Sequence, residues 1–114
     1  MSSHYLKNID FEAPLALKEL VSCQPGQVVS RTLAQNKAVS ITLFAFDKGE
    51  EISSHRSEGD AMVVLFDGNA EITIGDNTFT VGEGQTIVMP AGIPHALKAV
   101  TPFKMLLTVV FKTE

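Results

Sequence analysis

Two histidines in this chain stand where an imidazole needs a use. In "GQTIVMPAGIPHALK", residues 84–98, His95 comes three residues after Gly92 and heads an otherwise apolar run. In "GEEISSHRSEGDAMVVLFDG", residues 49–68, His55 ends one short extended stretch and precedes another. An imidazole on the inward face of a strand can orient a carboxylate or hydroxyl of a ligand, or move a proton near neutral pH. His4 lies in the N-terminal stretch and is assigned no role. Cys23, in "SCQPG", has no base or cation beside it in sequence to lower its pKa, so it reads as a plain thiol rather than a nucleophile.

The elements that must position these residues are strands. Turn signals recur at short intervals, at 24–26, 47–49, 58–60, 67–68, 75–77, 82–84 and 90–92, with period-two runs between them. In "AEITIGD" Ala70, Ile72 and Ile74 alternate with Glu71 and Thr73. "NTFTV" continues the pattern after a Gly-Asp-Asn hairpin, with Phe79 and Val81 inward. In "FKMLLTVVFK" Phe103, Met105, Leu107, Val109 and Phe111 share one face. The segment 81–85, "VGEGQ", reads as a further hairpin turn, and Pro90-Ala91-Gly92 separates two strands. Only residues 12–21, "EAPLALKELV", have a helical look, as one short helix or a plain turn. The fold class is all-β, with at most one short N-terminal helical turn.

Two runs break the alternation because both faces are apolar. In "AMVVLF" Ala61, Val63 and Leu65 oppose Met62, Val64 and Phe66, and in "VSITLFAF" Leu43 and Ala45 oppose Phe44 and Phe46. A strand buried on both sides needs a second layer. That layer is either a second copy of the chain, giving a homodimer that covers Met62, Val64 and Phe66 or Phe44 and Phe46, or the chain's own N-terminal segment.

Bulk properties limit the partners. A chain of 114 residues is one domain by size, and 45% apolar with 19% charged residues suits a globular fold. A net charge of −4 and a pI near 5.3 leave no basic stripe for nucleic acid. No apolar run is long enough to span a bilayer. The opening residues lack the apolar core of an export signal, and one cysteine allows no internal disulfide, so the expected location is the cytoplasm.

The spacing around both histidines resembles the two motifs of the cupin superfamily. Gly84, five residues, Pro90-Ala91-Gly92, two residues and His95 match the second motif; Gly49, five residues, His55 and, further on, Gly68 match the frame of the first. The resemblance implies a double-stranded β-helix, the jelly-roll cupin barrel, over about 27–112, with 1–26 packing on the barrel or on a dimer partner. It also implies a divalent metal, such as Zn, Ni, Fe or Mn, held by three histidines and a glutamate. This chain departs from that set: Ser57 stands where the second histidine belongs and Ala61 where the glutamate belongs. His55 and His95 remain as weak candidate ligands, and Asp60 or Glu51 is a candidate third. Asp60 points to the other face by strand parity, whereas Glu51 shares parity with His55 if the segment is extended.

Two functions stay open. One is a small-molecule binding cupin with a degenerate metal site, its pocket lined by Ala61, Val63, Leu65, Leu97 and Ala99 around His55, Ser57 and His95. The other is a metal-dependent enzyme of isomerase or dioxygenase type that uses both histidines and a substitute carboxylate.

Overall fold

The structure, a computed structural model, describes residues 4–113. Residues 1–3 and 114, the ends of the expected domain, lie outside the described residues. Among the described residues nine strands follow one another: β1 (Val28–Gln35), β2 (Val39–Phe46), β3 (Glu51–His55), β4 (Asp60–Asp67), β5 (Asn69–Ile74), β6 (Asn77–Gly82), β7 (Thr86–Met89), β8 (His95–Ala99) and β9 (Phe103–Val110). The helical expectation for 12–21 reduces to a single 3-10 turn, Leu17–Leu20.

The strands form two antiparallel sheets, one in the order β1-β2-β9-β4-β7 and one in the order β3-β8-β5-β6. Their facing sides enclose the main core. Alternate residues of β4 (Ala61, Val63, Leu65), β8 (Leu97, Ala99) and β9 (Phe103, Met105, Val109) are buried there. Phe46 stacks on Phe103 with ring centroids 4.4 Å apart. The hairpin between β5 and β6 turns on Gly75 and Asp76, with Ile74 paired to Asn77. Phe79 shares the inward face of Val81 but sits on the edge strand β6 and stays 44% exposed.

The turn at 81–85 is tight but is not a hairpin. β6 pairs with β5 in one sheet, whereas β7 pairs with β4 in the other, so the chain crosses between sheets here. Gly84 takes φ +81°, a conformation that favours glycine, and the Gln85 amide donates to the Gly82 carbonyl. The 90–92 turn crosses back, from β7 to β8, with Gly92 at φ +77°.

Of the two covers weighed on the sequence for the two-sided strands, the chain's own N-terminal segment is the one that lies over β2. Phe44 and Phe46 face the barrel interior. The outward residues of β2 are Leu43 and Ala45, and the chain's own N-terminal segment buries them through Ile9, Leu17, Leu20, Val21 and Cys23. Phe66 joins that outer layer. The segment is tied down by Asn8, whose amide donates to the Thr32 carbonyl and whose own carbonyl accepts from Arg31. Beyond this cover, Met62, Val88 and Val110 on the same outer face remain 41%, 51% and 59% exposed.

Candidate functional site

His55 and His95 meet because β3 and β8 are neighbours and their Cα atoms are registered partners. The rings pack edge to face, with centroids 4.3 Å apart and Nε2 atoms 3.1 Å apart. His95 is 3% exposed; His55 stands at the exposed rim. Each ring is aimed by a main-chain carbonyl two residues before it: Nδ1 of His55 lies 3.0 Å from the Ser53 oxygen, and Nδ1 of His95 lies 3.3 Å from the Ile93 oxygen. Burial pushes the His95 pKa down, and the neighbouring His55 charge adds to this, against a smaller opposing effect of the Ile93 carbonyl.

A register shift sets which β3 residues face the pair. Between Ile52↔Leu97 and His55↔His95 the chain advances three residues on β3 and two on β8. This bulge at Ser53-Ser54 reverses the parity, so that Ile52 and His55 both point inward. Glu51, opposite Lys98, therefore lines the outer surface with Ser53 and Ser54 and does not join His55. The sequence expectation of shared parity between Glu51 and His55 required an unbroken strand.

Asp60 is engaged elsewhere too. Its Oδ1 accepts the Ala91 amide at 2.9 Å. Two further hydrogen bonds join the same loops: the Gly92 amide donates to the Ser57 carbonyl, and Arg56 Nη1 donates to the Gly92 carbonyl. This clasp between the loop after β3 and the loop before β8 fixes the two strand ends that carry the histidines. Asp60 thus contributes positioning, on the face that parity assigns it.

The histidines open onto a cavity of about 220 Å³. Its polar rim is His55, Arg56, Ser57 and His95; Met89, Met105, Leu107 and Val109 are among the apolar residues behind. Ala61 and Leu97 line it, as the sequence suggests. Val63, Leu65 and Ala99 share that inward face but are packed into the core below and do not line the cavity. Arg56 and Met89 escaped the sequence reading. Met89 follows from its pairing with Ala61, which only the register supplies; Arg56 lies in an irregular loop with no periodicity to place it. The inward parity of β9 already pointed to Met105, Leu107 and Val109.

The donor set does not fit the divalent metal that the motif resemblance implies. Metal-bound imidazole nitrogens lie about 2.0–2.1 Å from the ion, so two Nε2 atoms this close could share one. Catalytic first-row sites take about three or more protein ligands, and none follows here. Ala61 offers a methyl group where a carboxylate would stand, and the Ser57 hydroxyl oxygen accepts the Gly59 amide. Among the described residues no group of three His, Cys, Asp or Glu side chains is placed to hold a metal.

A family model for the cupin domain matches residues 42–111, which contain both histidines. The chain belongs to the cupin superfamily. Among solved structures, a conserved protein of unknown function from Streptococcus pyogenes is 51% identical over the whole of both chains, with a TM-score of 0.97. A cupin superfamily protein from Desulfitobacterium hafniense is 34% identical, covering 94% of this chain and 98% of its own, with a TM-score of 0.89. An uncharacterized protein from Streptomyces coelicolor is 31% identical over 61 residues, 54% of this cupin and 58% of that relative's length. No helix among the described residues is long and apolar enough to cross a membrane. The thiol of Cys23, half-buried where the N-terminal segment packs on β2, has its pKa raised by burial and lies outside the cavity.

Proposed function

We propose that this cupin binds a small organic molecule in the barrel without a tightly held divalent metal, and that His55 and His95 orient it. One observation carries the reading: two imidazoles converge at the mouth of an apolar cavity that no carboxylate among the described residues lines. An apolar pocket with a few convergent polar groups is the usual form of a small-molecule site. The alternative of a metal-dependent isomerase or dioxygenase needs a third ligand, and both suspects are directed elsewhere.

A screen of small organic compounds read by methyl NMR tests this. Compounds that bind should shift the methyl signals of Met89, Met105 and Leu97, and Ala61→Phe, which fills the cavity, should abolish those shifts. Hits scattered over the surface, or unaffected by Ala61→Phe, would contradict the reading.

The exposed outer face supports a second proposal, that two copies associate through Met62, Val88 and Val110. Met62 and Val88 are registered neighbours, and Val110 lies on the adjoining strand β9. A stable interface buries roughly 1,200 Å² or more in total. Light scattering should give a dimer at micromolar concentration, and Met62→Lys combined with Val88→Lys should give a monomer. A wild-type monomer would leave the N-terminal segment as the sole second layer.

A further inference from the structure

We infer that the cavity selects a short-chain hydroxycarboxylate, with its carboxylate on Arg56 and its hydroxyl hydrogen directed at the histidine pair. The inference rests on the binding reading above and adds the chemical class of the ligand.

The first support is a count of hydrogens. Three contacts of the pair each require one proton: Nδ1 of His55 to the Ser53 carbonyl, Nδ1 of His95 to the Ile93 carbonyl, and Nε2 to Nε2. Two neutral imidazoles carry two N–H hydrogens between them. With both carbonyls served, both Nε2 atoms present lone pairs at the cavity mouth, one donor short. Leaving a polar atom without its hydrogen bond in a partly desolvated place costs free energy, and a ligand O–H supplies what is missing.

The second support is charge. Among the described residues Arg56 supplies the cavity lining's one permanent charge, and a hydrogen bond from its Nη1 to the Gly92 carbonyl holds the guanidinium at the rim. No carboxylate among the described residues pairs with it. A guanidinium stays charged at all relevant pH values and keeps further N–H donors in a planar fork that matches a carboxylate. The Ser57 hydroxyl accepts from the Gly59 amide and retains its own hydrogen for the same carboxylate. Arg56 and Ser57 directly follow His55 and line the same cavity with it, which fits an acid and a hydroxyl close together on the ligand.

The third support is size and lining. A cavity of 220 Å³ is about seven liquid-water volumes at roughly 30 Å³ each, which suits an acid of about six carbons whose tail lies on Met89, Leu97, Met105 and Leu107. A sugar, polar on every side, would leave hydroxyls against those apolar walls.

The test compares 2-hydroxyhexanoate and 3-hydroxyhexanoate with hexanoate, hexanamide and 2-hexanol by methyl NMR titration of the full chain. One of the hydroxy acids should bind at least tenfold more tightly than hexanoate, hexanamide and 2-hexanol. Arg56→Gln should remove at least tenfold of that affinity, and Arg56→Lys, which keeps the positive charge, should restore most of it. Equal binding of the alcohol and the hydroxy acids, or an Arg56→Gln variant as tight as wild type, would overturn the ligand class while leaving the pocket reading intact. Absence of any cavity shift with all five compounds, together with failure of the broader screen, would overturn the pocket reading and this inference with it.

Discussion

At one end of the barrel Phe46 and Phe103 stack with centroids 4.4 Å apart, and Leu65, Ala70 and Ala99 close around them without leaving room for solvent. At the other end the same strands place Ala61, Met89, Leu107 and Val109 around a cavity capped by two histidines. β4 passes from Ala61 to Leu65, β9 from Val109 to Phe103, and β8 from His95 to Ala99. Backbone and register are therefore common to both ends. The difference lies in side-chain volume and polarity at equivalent inward positions. Packing is densest where large rings interlock, and open volume lies where a small residue at position 61 leaves space.

The same deletion made at each end should give the largest contrast. Leu65→Ala, in the packed end, should destabilise by about 4 kcal/mol, near the upper part of the range for buried leucines. Leu107→Ala, half-buried beside an existing cavity, should cost about 2 kcal/mol because fewer contacts are lost there. Urea unfolding of both variants measures this. Equal losses would mean that the open end is as tightly packed in solution as the closed one.

A smaller effect should appear with pH. His95 has its folded pKa held below the ordinary 6.5, mainly by burial. The unfolded chain then binds the proton more readily, so this contribution to stability is complete above pH 6.5 and is lost as pH falls through the folded value. Wild type should thus lose more stability than His95→Gln between pH 7.5 and 5, as measured by thermal unfolding at each pH. A parallel decline in the two proteins would show that the open end does not disfavour the imidazolium.

Much of the packed end was legible in the sequence because period-two alternation assigns faces directly: the inward sets of β4, β8 and β9 all follow from it. The convergence of His55 and His95 was legible from the spacing of both motifs. What parity could not show is where it breaks. The Ser53-Ser54 bulge turns Glu51 outward, yet "EEISSH" carries no glycine or other sign of an extra residue. Sheet membership was equally hidden, so the 81–85 turn looked like a hairpin when it carries the chain from one sheet to the other. Turn residues report a change of direction and not which strand is met next. The N-terminal segment was one of two covers weighed for β2, and its own weak periodicity could not decide between them.

The central claim is that the histidine pair serves an organic ligand and lacks the ligands for a tightly bound divalent metal. Isothermal titration of chelator-treated wild type and of the Ser57→His/Ala61→Glu double variant with Zn, Ni, Mn and Fe(II) tests it most directly. The double variant recreates the donor set that the motif lacks here. We expect weak binding to the wild type and binding of one ion per chain at least a hundredfold tighter in the variant. Tight binding of one ion per wild-type chain, with no gain in the variant, would contradict the account and place the metal-dependent reading first.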